Sequence, residues 1–193
     1  MIIIIVSRVN FKRVILISVP FTAILALSII TEPYRLTRLL IFLNPMSVPL
    51  DGYINTQLNK IITGSGFLGQ GLTFHPQILP ELHTDFVFAF ITCTFGWLAS
   101  VLLITFFVMF LIRIAGIARQ VKINYAKLLI SGFVSILAVQ FLWNILMNLG
   151  LAPISDMGLP FISYGGSQLI INAAIVGIIS SIYRRKSISW SNN

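Results

Sequence analysis

Two carboxylates and an imidazole lie close together in this sequence: Glu81, His83 and Asp85, directly before a long apolar segment. A carboxylate that is partly withdrawn from water is suited to act as a general base. Thr84 or Asp85 is also suited to cap a helix that begins near Phe86, since either side chain can accept the free amide hydrogens of a first turn. The two roles are compatible, because a capping carboxylate can also take a proton.

Three cations precede this acidic cluster: Arg35, Arg38 and Lys60. Arginine binds phosphate groups through paired hydrogen bonds, so these side chains could bind a phosphate or pyrophosphate at a membrane surface. The alternative is that they lie at the lipid headgroups, with their aliphatic stems along apolar surface.

Metal binding is a further possibility for His75, His83, Glu81 and Asp85. Their spacing fits no zinc pattern, so the sequence predicts no dedicated metal site. A divalent cation that bridges a carboxylate and a substrate phosphate is the form of metal binding that these residues favour.

Two glycine-containing segments carry backbone of special shape. Residues 64–71 (GSGFLGQG) indicate a plain turn, with an anion-binding nest of amides as the alternative. Residues 159–167 (LPFISYGGS) lie between two long apolar segments, where irregular backbone must be satisfied by protein or water. They predict a shaped loop or re-entrant element, in which Gly165 and Gly166 adopt positive φ or approach other backbone closely.

The composition identifies an integral membrane protein. Of the 193 residues, 57% are apolar and only 9% are charged, against roughly a quarter charged in soluble domains. A net charge of +8 could suit nucleic acid, but the charges flank apolar segments, so nucleic acid is not an expected partner. A spanning helix needs about 20 mostly apolar residues. Segments at about 14–31, 86–112, 127–151 and 168–183 predict an all-α membrane domain of about four transmembrane helices over residues 1–193.

Charge predicts the topology of these helices. With both termini in the cytoplasm, ten cations lie inside and three outside, as the positive-inside rule expects. The large outer loop then covers about 32–85 and contains short amphipathic helices near 34–43 and 57–62, and a second outer loop covers about 152–167. The first apolar run lacks a clear cleavage site, which favours a retained anchor.

Amides lie within or at the ends of the predicted spanning helices. Such side chains usually face protein and bond between helices, and lining a polar cavity is the alternative. They are Gln140, Asn144, Asn148, Gln168 and Asn172.

Together these segments resemble the RodA/FtsW/SpoVE family, the SEDS proteins of bacterial cell-wall synthesis. The resemblance runs through residues 33–38 (PYRLTR), 64–71, 79–89 (LPELHTDFVFA), Phe95-Gly96 and 159–167, with Asn144 between the last two blocks. Family members have about ten helices, and this chain resembles only the last four. The chain departs from the family at Cys93 and Thr94, where two acids are common, and at Asp156, where glycine is common.

The resemblance implies a peptidoglycan glycosyltransferase, which polymerises lipid II at the outer face of the bacterial cytoplasmic membrane in elongation, division or sporulation. Asp85 matches the family's essential aspartate, and a class B penicillin-binding protein is the implied partner, with a separate chain supplying the missing helices as a further one. The implied substrate-binding residues are Arg35, Arg38, Lys60, Glu81, His83, Thr84, Ser163, Tyr164, Gly165, Gly166 and Ser167.

Two other functions stay open at this point. One is a non-catalytic membrane subunit or scaffold for a penicillin-binding protein, which the loss of the acidic pair at Cys93 and Thr94 favours. The other is a transporter of lipid-linked precursor, which would need a continuous polar path through the helices.

Overall fold

The structure is a computed structural model that describes residues 49–71 and 84–185, together with isolated positions 19, 20, 22, 24, 38, 40 and 42. All regular structure in these residues is helical, which confirms the all-α class. The helices are α1 (Pro49–Gly64), α2 (Val87–Gln120), α3 (Asn124–Asn148) and α4 (Gly166–Arg185). The predicted helices near 14–31 and 34–43 fall almost wholly outside the described residues, although the isolated positions within them are helical.

Three of the described helices are long and apolar enough to cross a membrane. They contain 34, 25 and 20 residues in α2, α3 and α4, against the roughly 20 that a bilayer requires. Helix α2 continues to Gln120, whereas the sequence suggested an end near 112. Arg113 and Arg119 do not interrupt it, because their flexible stems can carry the charge to the membrane surface while the backbone stays helical. The connection to α3 is therefore only residues 121–123.

One apolar core joins the three long helices. The ring of Phe107 on α2 stacks on that of Phe141 on α3, with centroids 3.9 Å apart, and Ile175 of α4 joins the same cluster. The outward faces are also apolar: Leu102 and Phe106 are 51% and 71% exposed. A large exposed apolar surface of this kind is expected where a protein meets lipid or other membrane helices. The chain is a multi-pass membrane protein.

The two ends of this bundle differ in charge. The last two turns of α2, the 121–123 connection, the first turn of α3 and the last turn of α4 lie at one end. They carry Arg113, Arg119, Lys122, Lys127, Arg184 and Arg185. The opposite end carries Asp85 and Asp156 and is called here the Asp85 end. The orientation that puts the basic end in the cytoplasm stays a prediction.

A second, smaller core lies at the Asp85 end, where α1 packs across the beginning of α2. Leu58, Ile61 and Ile62 of α1 contact Phe86, Ala89 and Cys93. Pro49 stands at the first position of α1, where its missing amide hydrogen costs nothing. The short helix predicted at 57–62 is thus the last part of a longer one.

Candidate functional site

Helix α2 is interrupted near its beginning. Gly96 has φ 83° and ψ 176°, which no α-helix contains. In an unbroken helix the amides of Trp97 and Leu98 would bond the carbonyls of Cys93 and Thr94. The break releases all four groups, and in an apolar environment each needs another partner.

The segment of residues 65–71 supplies those partners. The amides of Gln70 and Gly71 donate to Cys93 O and Thr94 O at 2.8 and 3.1 Å. In return, the amides of Trp97 and Leu98 donate to the carbonyls of residues 66 and 67 at 3.3 and 3.4 Å. The prediction of a plain turn is therefore incomplete, and the alternative of an anion nest is wrong for Gln70 and Gly71, because these amides already bond α2.

This contact depends on two glycines, Gly69 and Gly96, at which the two backbone segments approach each other closely. A Cβ on Gly69 would lie 2.4 Å from Thr94 O, and one on Gly96 would lie 2.3 Å from Phe67 O. Both residues also have positive φ. A side chain at either position would separate the segment from the break.

The first turn of α2 is capped by α3. The N-cap position is Phe86, which provides no side-chain hydrogen bond, so it lies one or two residues after the predicted Asp85 or Thr84. The amide of Ala89 instead donates to Asn148 Oδ1 at 3.2 Å. Residues 59 apart in sequence form this cap, which a local pattern cannot reveal.

Two amides of α3 hold the main chain of Asp85. Asn144 Nδ2 and Asn148 Nδ2 donate to Asp85 O at 2.9 and 3.2 Å. Both asparagines are 0% exposed. The prediction that these amides bond between elements is confirmed for both residues. The Asp85 side chain is half-buried at the same point.

The loop of residues 149–165, which joins α3 to α4, is tied to the same helices. Asn144 Nδ2 donates to Met157 O at 2.6 Å. Gln140 Nε2 and Gln168 Nε2 donate to Gly158 O at 3.2 and 2.9 Å. The irregular backbone is thus satisfied by side chains of α3 and α4, as apolar surroundings require. Among these amides, Asn172 on α4 differs, because its Nδ2 is buried without a hydrogen-bond partner.

Ser163 has a structural role in this loop. Its Oγ accepts a hydrogen bond from the amide of Leu159 at 2.6 Å, and its own amide donates back to Leu159 O at 3.1 Å. Gly158 lies against the same side chain, since a Cβ there would be 2.8 Å from Ser163 Cβ. The loop therefore closes on itself through residues 158–163.

The expectation for Gly165 and Gly166 is wrong. Neither has positive φ, and a Cβ on Gly166 would meet nothing within 4 Å. The close approach occurs at Gly158 instead. The sequence marks the adjacent glycine pair, but it does not show which backbone lies against the loop.

Phe161 is the one residue other than glycine with positive φ among the described residues, at 67°. The amide of Ile162 bonds Leu159 O at 3.3 Å, so residues 159–162 form a turn that normally places glycine at this position. Its ring meets that of Phe110 on α2 edge-on, with centroids 5.6 Å apart. Both rings line an apolar groove of about 530 Å³ between α2, α4 and the 149–165 loop.

Arg38 reaches the same loop from the first half of the chain. It donates from Nη1 to Ile154 O at 3.2 Å, and its Nη2 forms an ion pair with Asp156 Oδ1 at 3.1 Å. The carboxylate of Asp156 is 77% exposed, so this ion pair faces water. Lys60 is exposed on α1, on the side away from the core.

The other predicted site residues differ in exposure, and several lie outside the described residues. Tyr164 is 82% exposed, Ser167 is exposed in the first turn of α4, and Thr84 is half-buried beside Asp85. Arg35, Glu81, His75 and His83 lie outside the described residues. Residues 49–71 and 84–185 contain no cluster of metal-binding side chains.

The Asp85 end thus combines a half-buried aspartate, whose main chain is fixed by helix amides, with a shaped loop. The sequence profile of the FtsW/RodA/SpoVE cell cycle proteins matches residues 1–188. The chain belongs to this family.

Named relatives agree with this assignment. The probable peptidoglycan glycosyltransferase FtsW of Thiomicrospira cyclica is 33% identical over 184 residues, which cover 92% of this chain and 47% of that protein. The corresponding protein of Borreliella burgdorferi is 35% identical, with 96% and 52% covered. Stage V sporulation protein E of Bacillus subtilis is 33% identical, with 81% and 44% covered.

A solved structure shares the fold. One chain of a peptidoglycan synthase complex that coordinates polymerization and crosslinking superposes with a TM-score of 0.73 at 25% identity. The match covers 96% of this FtsW/RodA/SpoVE chain and 52% of the other. The chain thus spans about half the length of the relatives that it matches.

Proposed function

We propose that this chain carries the catalytic aspartate of a peptidoglycan glycosyltransferase that polymerises lipid II. The observation that supports it most is the way in which the main chain of Asp85 is held. Its carbonyl accepts two hydrogen bonds from amides that are fully buried, while its side chain is only half-buried. A fixed backbone together with a side chain that is not fully buried suits a general base. Relatives named as peptidoglycan glycosyltransferases supply the substrate class.

The proposed reaction is a transfer between two lipid-linked sugars. A hydroxyl oxygen of the acceptor attacks the anomeric carbon of the donor, and the Asp85 carboxylate takes the hydroxyl proton. The bond from the anomeric carbon to the pyrophosphate oxygen breaks, and undecaprenyl pyrophosphate leaves with the electron pair. Cations stabilise the charge that develops on the leaving group. Arg38 and Lys60 are proposed for that role, with Arg35, Glu81, His83 and Thr84 nearby in sequence.

The 149–165 loop and the start of α4 are proposed to hold the substrate. Tyr164 and Ser167 are exposed, and Gly166 between them leaves open space, since a Cβ there would meet nothing within 4 Å. Gly165 contacts the Gln168 side chain, at 3.6 Å from an added Cβ. The groove beside Phe161 is lined only by apolar side chains, which suits a prenyl chain. Ser163 contributes by shaping the loop.

Location and partners follow from the same proposal. We place the chain in the bacterial cytoplasmic membrane with both termini inside. The positive-inside rule favours the basic end in the cytoplasm, so the Asp85 end then lies at the outer face. A class B penicillin-binding protein would crosslink the product, and the solved relative belongs to a complex that combines both activities. Because the chain spans half of its relatives, the remaining helices are proposed to come from another polypeptide or further sequence.

A non-catalytic scaffold for a penicillin-binding protein is the second candidate. Cys93 and Thr94, which replace the family's acids, are 1% and 4% exposed and lie against the 65–71 segment. The carbonyls of both residues therefore help to hold the 65–71 segment, and their side chains bring no charge to the site. Transport is less well supported, because Gln140, Asn144 and Asn148 all bond backbone at the Asp85 end and leave no polar path along the described part of α3.

The test is lipid II polymerisation by the purified chain in vesicles, alone and with a co-expressed N-terminal half from a full-length relative. Asp85→Asn should abolish polymer while the protein still inserts and melts normally. Asp156→Asn is the matched control, since it removes the same charge from the same end, and polymer should still form. A folded wild-type chain that yields no polymer in either format, yet retains a penicillin-binding protein, would establish the scaffold instead.

A further inference from the structure

Three amides of α3 divide their hydrogen bonds between two places. Asn148 bonds Asp85 O and the amide of Ala89, both at the start of α2. Gln140 bonds Gly158 O in the 149–165 loop. Asn144 alone bonds both places, since its single Nδ2 donates to Asp85 O at 2.9 Å and to Met157 O at 2.6 Å.

We infer that Asn144 is a positioning residue that couples the 149–165 loop to Asp85. This inference rests on the proposed function, in which Asp85 is the base and the loop holds substrate. A carboxamide nitrogen has two hydrogens in fixed directions, and here each carbonyl takes one. Movement of Met157 O must therefore either break one bond or turn the amide and move Asp85 O with it.

Burial makes this link stiff. Asn144 is 0% exposed, so water cannot replace a lost bond. Its oxygen is held as well, because Asn148 Nδ2 donates to Asn144 Oδ1 at 3.2 Å and to Asn144 O at 2.8 Å. An unsatisfied carbonyl at this site is costly, which favours concerted movement over separate rupture.

The contacts of Arg38 with the 149–165 loop suggest what the coupling through Asn144 could do. Arg38 bonds Ile154 O and Asp156, only a few residues from Met157. A pyrophosphate that attracts Arg38 would compete with these loop contacts. Asn144 would transmit the resulting displacement of the loop to the Asp85 backbone. The Asp85 carboxylate would then reach its position for proton transfer only when substrate is bound.

The first test uses cysteine reporters and no activity. In a Cys93→Ala background, Asp85→Cys and Met157→Cys each retain the backbone carbonyl that Asn144 binds, and the rate of maleimide labelling is measured. Asn144→Leu should raise both rates at least fivefold. Asn148→Leu should raise chiefly the rate at position 85, and Gln140→Leu only that at position 157. Equal effects of Asn144→Leu and Gln140→Leu would overturn the inference.

If Asn144→Leu does not fold, Asn144→Gln serves as the second variant, since it keeps both donors on a longer stem and should change both rates together. A change at one reporter only would again count against coupling.

The second test uses kinetics of whichever form of the chain polymerises lipid II. Asn144→Gln should lower kcat at least tenfold with KM within threefold of wild type. A raised KM with unchanged kcat would show a merely local loop effect. If no form polymerises while the reporters respond as described, the proposed function fails and the coupling stands.

Discussion

Substitution of Gly69 by alanine tests whether the 65–71 segment repairs the break in α2. Gly69 has φ 77°, and its added Cβ would lie 2.4 Å from Thr94 O and 2.5 Å from Gly96 N. Backbone on both sides cannot yield as a side-chain tip can. Gly66 is the matched control, because it has φ 62° but a Cβ there would meet nothing within 4 Å.

The two substitutions share one cost and differ in another. Alanine at positive φ costs roughly 1–2 kcal/mol at either position. Gly69→Ala must also displace the amides of Gln70 and Gly71 from α2, and two backbone hydrogen bonds contribute roughly 1–3 kcal/mol together. The expected destabilisation is therefore about 2–5 kcal/mol for Gly69→Ala and about 1–2 kcal/mol for Gly66→Ala.

The natural cysteine provides the assay. Cys93 is the chain's single cysteine, is 1% exposed and accepts the hydrogen bond of Gln70. Its labelling by N-ethylmaleimide in detergent should rise by roughly tenfold for each 1.4 kcal/mol that favours the displaced segment. Gly69→Ala should thus label about 5- to 150-fold faster than Gly66→Ala. Equal labelling of the two variants, at equal melting temperature, would refute the account of the crossing.

Three further predictions concern the loop and its contacts. Asp156→Asn should leave thermal stability almost unchanged, because its ion pair with Arg38 faces water; it should lower the KM for lipid II by releasing Arg38, and a raised KM would count against that role. Gly158→Ala should destabilise the chain, since its Cβ would lie 2.7 Å from a side-chain oxygen, whereas Gly166→Ala should melt like the wild type. Phe161→Gly should be more stable than Phe161→Ala by about 1 kcal/mol, because only alanine retains the strain of φ 67°; the reverse order in a thermal melt would show that the turn is not strained.

Much of the fold could be read from composition and pattern. The long apolar runs around Phe107, Phe141 and Ile175 predicted helices, and such runs become helices in lipid because the backbone must satisfy itself. Their boundaries were less predictable. Arg113 and Arg119 indicate where α2 reaches the membrane surface, but a membrane surface restricts where charges lie and does not end a helix.

The residues of the candidate site could be predicted from their types, but the contacts that hold them in place could not. Asp85 stood out as a carboxylate before an apolar helix, and Asn144 and Asn148 as amides that must find partners. The cap on Ala89 could not be found, because Asn148 supplies it from another helix. Phe161 gave no signal at all, since nothing in the sequence shows that a phenylalanine adopts a conformation typical of glycine.

Three properties follow from the amino-acid sequence alone: the chain lies in a membrane, the cations of its long spanning helices gather near one end, and Asp85 stands directly before a helix. These properties depend on solvation and on neighbours within a few residues. The three-dimensional packing is needed to show which glycine meets which backbone, as at Gly69 and Gly96, and which carbonyls Asn144 binds. Those contacts join residues far apart in sequence, and they are selected by which released backbone groups and buried amides can satisfy one another without water.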